Sequence, residues 1–307
     1  MNITLALGGG GVKGFAHIGV IRVLEGEGYR IRAIAGSSAG GMVGALYAAG
    51  YSPDAMEKYV REIDLGGLFA RMHGDGPSLL GFSGVTAILS DLLGERTFSD
   101  LRLPLVVTAT DLTSGMPVVI KQGRLLEAVL ATSAAPGVFP AHLQAGQLLV
   151  DGGVMNPIPV SEARALFPAA PVVAVILSPP LGWQPGIQDG SAQAIPVLMT
   201  NLPLVYRLAG RLRLTQAFNL FVRAMDLSGQ MLLEKQVGLE RPEVIIRPIL
   251  SHIGIVDRVN IPELIKNGET AARNALPEIH KAFTWHARLW RNLSRRLSPN
   301  PGDSDDS

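Results

Sequence analysis

Asn2-Ile3-Thr4-Leu5-Ala6-Leu7-Gly8-Gly9-Gly10-Gly11-Val12-Lys13-Gly14 is the stretch that decides how this chain folds. An apolar strand, Asn2 to Leu7, runs straight into glycines. Val12-Lys13-Gly14 then opens a helix that presents Phe15, Ile18, Gly19 and Val23 on one face and stops near Gly26 and Gly28. Ile31 to Ala35 is a second apolar strand, and Gly36-Ser37-Ser38-Ala39-Gly40 turns it into a second helix over Ala39 to Ala49, closed by Gly50. Strand, glycine turn, helix and strand in so short a span make a βαβ unit, which predicts an α/β protein built on a parallel sheet.

Size and composition narrow the rest. The chain has 307 residues, enough for one large core, with 47% apolar and 17% charged residues. A net charge of +1 supplies no broad excess to neutralise phosphates, which argues against a nucleic-acid partner. Cysteine is absent, so disulfides, thiolate metal sites and a cysteine nucleophile are excluded, and a reducing, cytoplasmic setting fits. The N-terminal apolar run lacks a basic flank and is too short for a secretory signal. Ala33 to Pro53 is uncharged but is the strand, corner and helix just described, and five prolines break the uncharged stretch Ala165 to Gln188. Neither reads as a membrane span.

Further along, Ser52-Pro53-Asp54 starts a helix, with Ser52 as its cap. Asp64 to Ser83 is a glycine-rich apolar loop, either a lid over a site or an irregular core connection. A helix over about Val85 to Leu93, a strand over Leu105 to Thr110 paired with Pro117 to Lys121, and a helix over Leu125 to Ser133 follow. Leu148 to Val150 leads into Asp151-Gly152-Gly153. Val172 to Leu177 and Val244 to Ile246 are later strands, Ile195 to Met225 suggests amphipathic helices, and Pro262 to Phe283 a long one. Domain organisation is read as one domain over 1–280, a basic helix over 281–298 and a disordered tail over 299–307.

Three glycine-rich elements, Gly9-Gly10-Gly11, Gly36 to Gly40 and Asp151-Gly152-Gly153, each follow a predicted strand. Ligands bind open parallel sheets at the strand C-terminal edge, so a serine, a carboxylate and a run of bare amides are expected in one crevice. Those are the parts of acyl transfer: Ser38 attacks, Asp151 takes its proton, and the Gly9, Gly10 and Gly11 N–H groups hold the oxyanion. Gly36 and Gly40 let the backbone turn sharply around Ser38, which leaves its hydroxyl exposed at the start of a helix. A single βα unit before the corner is too little for an α/β-hydrolase. A third catalytic partner after Asp151 would have to be His252, which reads as structural, and a Ser–Asp pair needs no third member. Asp111 follows no glycine pair and reads as a turn residue.

On these motifs the chain resembles the bacterial patatin-like phospholipases. The family's G-G-G-x-(R/K)-G is similar to Gly9-Gly10-Gly11-Val12-Lys13-Gly14, its G-x-S-x-G to Gly36 to Gly40, and its D-G-(G/A) to Asp151-Gly152-Gly153. Ala109-Thr110-Asp111-Leu112 and the run Ala131 to Pro140 resemble connecting text of bacterial members, and the likeness extends over about Met1 to Leu276. Lys13 stands where arginine is commoner; it keeps the cation and loses the bidentate fork. The resemblance implies a three-layer α/β/α sandwich with a mostly parallel sheet and a Ser38–Asp151 dyad. It also implies support from Lys13, Gly14, Gly152 and Gly153, no metal or cofactor, and hydrolysis of lipid esters.

Two other readings stand beside it. Gly9-x-Gly11-x-x-Gly14 fits a dinucleotide fingerprint, but Gly36-Ser37-Ser38 occupies the place where the ribose-binding acid belongs. A lipid-binding scaffold without catalysis would have no need of the intact serine, aspartate and glycine loop. At the C-terminus, Lys281 to Ser298 carries five cations and no acids, with Trp285, Leu289, Leu293 and Leu297 on one helical stripe. Such a helix suits peripheral contact with an anionic membrane, or packs on the body with its basic face solvated.

Overall fold

The structure is a computed structural model, and it describes residues 1–62, 68–71, 76, 78–182, 213–250 and 259–284, the side chains of 213–223 excepted. Five parallel strands form its centre: β1 (Asn2–Leu7), β2 (Arg30–Ser37), β3 (Leu105–Asp111), β7 (Val172–Val175) and β8 (Val244–Ile246), in the order β3-β2-β1-β7-β8. Three further strands join antiparallel around β3: β4 (Met116–Ile120) and β6 (Gln147–Asp151) pair with β3 itself, and β5 (His142–Gln144) pairs with β6. The described helices are α1 (Phe15–Gly26), α2 (Ala39–Ala48), α3 (Pro53–Glu62), α4 (Ser83–Leu93), α5 (Leu125–Thr132), α6 (Val160–Leu166), α7 (Arg213–Glu240) and α8 (Ile261–Ala282).

Alternation along the strands sorts the core into two layers. Ile3, Leu5, Leu7, Ile34, Leu105, Val107, Val173 and Val175 face one cluster, which α1, α2, α4, α5 and α8 cover. Ala6, Ala35, Val106, Val172 and Ala174 face the other, which α6 and, through Leu233 and Val237, α7 cover. Bulky residues point to the side with more helices, and small ones to the side where α6 lies close. β1 is buried at every position after Asn2 and apolar there except at Thr4, as suits a central parallel strand. This is the three-layer α/β/α sandwich with a mostly parallel sheet.

The helix that carries the glycine loop is fixed by unusually close packing. A Cβ on Gly19 of α1 would lie 1.9 Å from the Ile265 carbonyl oxygen, and one on Gly268 of α8 would lie 2.0 Å from that of Ala16. The two backbones therefore touch, and no side chain fits between them. Arg22 adds a polar clamp, reaching Glu269 of α8 at 2.8 Å and Asp54 of α3 at 3.0 Å.

The sequence places most of these elements correctly. Two differences matter. His142–Gln144, only three residues long, adds a strand that periodicity does not show, and α7 continues to Glu240, well past Met225. Of the apolar loop from Asp64 to Ser83, the described part packs on the turn after α5: Leu80 N–H donates to the Val138 carbonyl at 2.8 Å, and Phe82 stacks on Phe139 at 4.2 Å. Most of Ile195 to Met225, His252, and the stripe Trp285 to Leu297 with the tail lie outside the described residues. Among the described residues no helix is long and apolar enough to cross a membrane.

Candidate active site

Strand β3 explains how Ser38 and Asp151 come together. Along one edge β3 pairs with β4 from Val107 to Asp111. Its opposite edge is shared by two strands. β2 pairs there up to Ser37↔Thr108, and β6 takes over at Ala109↔Asp151, running in the opposite direction. The two strands therefore meet end to end, on neighbouring register positions of β3, and their last residues face each other. This corrects the expectation that Asp151 reaches the crevice from a strand parallel to β2. Because β6 is antiparallel, it descends onto the sheet edge from outside.

At the meeting point the Ser38 hydroxyl donates to Asp151 Oδ2 at 2.6 Å. Ser38 has φ 53° and ψ −126°, a strained backbone for a residue with a side chain. Such a conformation typically costs about 1–3 kcal/mol and persists only where the surroundings enforce it. They do: a Cβ on Gly40 would lie 2.2 Å from the Leu7 carbonyl oxygen, and one on Gly36 would lie 2.6 Å from that of Gly40. The corner passes so close to β1 that only glycine serves. Ser38 caps α2, with its carbonyl accepting the Met42 N–H at 3.1 Å, so its side chain sits at the positive end of that helix. Ser38 is half-buried and Asp151 buried.

Asp151 is held on both carboxylate oxygens. Gly153 N–H donates to Oδ1 at 2.7 Å, which leaves Oδ2 for the serine. Gly152 lies against β3, where a Cβ would be 2.3 Å from the Thr108 carbonyl oxygen. Burial pushes the carboxyl up from an ordinary 3.8 to about 6; the bonds from Ser38 and Gly153 pull the other way and do not cancel it.

The glycine loop stands beside the serine. A Cβ on Gly9 would come within 3.1 Å of Ser38 Cβ, so the loop can be this near only without a side chain. Its amides are not equivalent, however. Gly9 N–H donates to the Pro157 carbonyl at 3.3 Å, and the Gly10 carbonyl accepts Lys13 N–H at 3.3 Å to form the turn. Among the described residues, the Gly10 and Gly11 N–H groups are in no such backbone pair. Gly11, at φ 59°, begins the short 3-10 turn Gly11–Gly14 that runs into α1, and a Cβ on Gly14 would strike that of Ala39 at 2.5 Å. Of the three amides expected to hold an oxyanion, that of Gly9 is thus already paired with a backbone carbonyl.

Two residues that sequence reasoning passed over support these parts. His17, fully buried in α1, donates from Nε2 to the Gly8 carbonyl at 2.9 Å. Burial lowers its pKa to about 4, with the Gly8 bond only partly opposing, so it is neutral and ties α1 to the start of the loop. Thr132, at the end of α5, accepts the Ser38 N–H at 2.9 Å. Each is a polar residue inside an apolar helix face, and Thr132 also lies in the family-like run Ala131 to Pro140. Asp111 is a turn residue: it accepts Thr113 N–H at 2.9 Å and Ser114 Oγ at 2.8 Å at the β3–β4 turn. Among the described residues no group of three or more His, Asp or Glu side chains is placed to hold a metal ion.

Fold and site together define an α/β sandwich with a serine on a strained strand-to-helix corner facing a buried carboxylate. The family profile for patatin-like phospholipase matches residues 5–164, more than half of the chain, and the protein belongs to that family. An uncharacterized NTE family protein of Mycobacterium tuberculosis is 38% identical over 162 residues, which covers 52% of this chain and 44% of that protein. Mouse patatin-like phospholipase domain-containing protein 6 is 31% identical over 187 residues, 56% of this chain and 13% of its own. The chain thus spans less than half the length of these relatives. Among solved structures, VipD from Legionella pneumophila aligns with a TM-score of 0.47 at 14% identity, covering 91% of this chain and 66% of that one.

Proposed function

We propose that the protein is a serine acyl-ester hydrolase acting on lipid esters, a phospholipase or lysophospholipase by class. Ser38 is its nucleophile and Asp151 its general base. The observation that carries this reading is the 2.6 Å hydrogen bond from Ser38 Oγ to a buried carboxylate whose pKa lies at about 6. A carboxylate of that basicity is a better proton acceptor than an ordinary aspartate, yet remains about nine-tenths ionised at pH 7.

As Ser38 Oγ attacks the ester carbonyl, its proton passes to Asp151 Oδ2 and the carbonyl electrons move onto oxygen. That oxyanion lies against the Gly10 and Gly11 N–H groups, at the positive end of α1; each donor of this kind contributes about 3 kcal/mol in the transition state. Collapse breaks the C–O bond, and Asp151 returns its proton to the departing alkoxide. A water molecule then gives a proton to Asp151 as it attacks the acyl-serine, and Ser38 leaves with that proton as the acid is released. Gly153 N–H keeps Oδ1 occupied throughout, so the proton shuttles on one oxygen only. No metal or cofactor is needed for any of these steps. Family membership supports lipid as the substrate class, and the basic segment 281–298, expected from its sequence to form an amphipathic helix, would provide peripheral contact with an anionic membrane.

The test is ester turnover and fluorophosphonate labelling in Ser38→Ala. Loss of both, with the wild type active on a panel of phospholipid, lysophospholipid and neutral esters, is the expected result; turnover on the order of 10⁶-fold lower is typical for a deleted nucleophile. Undiminished turnover in the variant overturns the reading.

A further inference from the structure

We propose that Thr132 is a positioning residue for Ser38: its hydroxyl, locked between the Ser38 N–H and the Thr108 carbonyl, keeps the corner in the conformation that aims Oγ at Asp151. The inference rests on the acyl-hydrolase reading above and extends it to a residue outside the dyad and the glycine loop.

A hydroxyl has one proton to donate, and both sides of this one are taken. Thr132 Oγ1 accepts the Ser38 N–H at 2.9 Å and donates to the Thr108 carbonyl at 2.5 Å. With donor and acceptor both committed, the side chain has no freedom to turn. Its methyl is fixed as well: a Cβ on Gly41 of α2 would be 2.9 Å from Thr132 Cγ2, so α5 and α2 meet across this contact. Thr132 itself is fully buried.

Thr108 is the residue that makes the arrangement consequential. It lies opposite Ser37, the last β2 residue on β3, and the next position, Ala109, lies opposite Asp151. Its carbonyl is also the atom against which Gly152 packs. One side chain thus links the backbone of the serine to the strand position where the carboxylate strand begins. Ser38 has φ 53°, a conformation that relaxes unless restrained. Its carbonyl is restrained by α2 through the Met42 N–H. Thr132 restrains the other side. Using up the Ser38 N–H here also means that this amide is not offered to the substrate, which leaves oxyanion binding to the glycine loop.

Three variants separate the hydroxyl from the methyl. Thr132→Ala removes both; Thr132→Val keeps the volume but puts a methyl where the hydroxyl approaches Thr108; Thr132→Ser keeps the hydroxyl. A misplacement of the reacting atoms by 1 Å can cost about 100-fold in rate. We therefore expect kcat and the fluorophosphonate labelling rate of Ser38 to fall about 10- to 100-fold in Thr132→Ala and Thr132→Val, with KM little changed. Thr132→Ser should recover most of the loss. A purely structural role predicts instead a lower Tm with full kcat in the folded protein. In the wild-type protein, the Ser38 amide should be among the slowly exchanging hydrogens, a measurement that needs neither substrate nor variant. Thr132→Ala at wild-type kcat, Thr132→Ser as slow as Thr132→Ala, or a freely exchanging Ser38 amide each overturns the proposal. The acyl-hydrolase reading survives any of those so long as Ser38→Ala is inactive; a wild-type protein without Ser38-dependent turnover removes both.

Discussion

Two aspartates on adjacent strands, Asp111 at the end of β3 and Asp151 at the end of β6, lie two register positions apart and behave in opposite ways. Both are buried. Asp111 collects the Thr113 and Leu148 N–H groups and the Ser114 hydroxyl, and these donors hold its carboxyl below the ordinary carboxylate range. Asp151 receives only the Gly153 N–H and the Ser38 hydroxyl, and burial carries its pKa up to about 6. Depth of burial and the number of donors together decide whether a carboxylate is spent on structure or kept for a proton.

Of the two aspartates, Asp151 carries the larger expected effect. Asp151→Asn removes the base and should lower kcat by on the order of 10³-fold or more. Near neutral pH it should also raise stability. A carboxyl whose folded pKa exceeds its unfolded value loses stability as pH rises, because the unfolded chain releases the proton first. With 3.8 and about 6 as the two values, that loss accumulates between them and is complete above about pH 6. It is on the order of 3 kcal/mol. Urea unfolding of the variant at pH 7.5 and at pH 3, about where the difference should vanish, measures it. An Asn variant no more stable than wild type at pH 7.5 breaks the comparison.

A second measurement sharpens it. The pH dependence of kcat/KM should show an acid limb with an apparent pKa of about 6 and a plateau above, because only the ionised Asp151 accepts the serine proton. A limb near 4 would mean that burial does not govern this carboxylate.

The smallest effect on turnover is expected at Asp111. Asp111→Asn should leave kcat near wild type and lower Tm, since an amide cannot accept all the bonds the carboxylate takes. Its stability contribution runs with the opposite sign to that of Asp151. It is present above the unfolded carboxylate pKa and is lost as pH falls through the lowered folded value. Thermal melts from pH 3 to 7 on both variants would display the two trends side by side.

Reading the chain residue by residue recovers the parts of this site better than their arrangement. The β1–α1–β2 unit is legible because Leu5, Leu7 and Ile34 form unbroken apolar runs and the glycines punctuate them. The short β5 is not, because three residues carry no periodicity. The continuation of α7 is hidden for another reason: Asp226 to Glu240 mixes polar and apolar residues with two glycines, and it is Leu233 and Val237 packing on the α6 side of the sheet that place it there. Within the site, Ser38 and Asp151 follow from motif and chemistry, and so does a glycine loop. Which amides of that loop are free does not, because Gly9 and Gly10 look alike until Pro157 takes the first.

The order of glycine, serine and aspartate motifs, each after a strand, was enough by itself to set the α/β fold, the family and the two side chains that meet. Local sequence carries that information because turns this tight admit only glycine and because apolar runs betray buried strands. Three-dimensional packing alone decided that β6 enters antiparallel and ends opposite β2, that Thr132 restrains the serine, and that Asp151 titrates near 6. Those outcomes depend on which distant groups share an edge, a hydrogen bond or a dry environment, and no stretch of sequence records its neighbours across space.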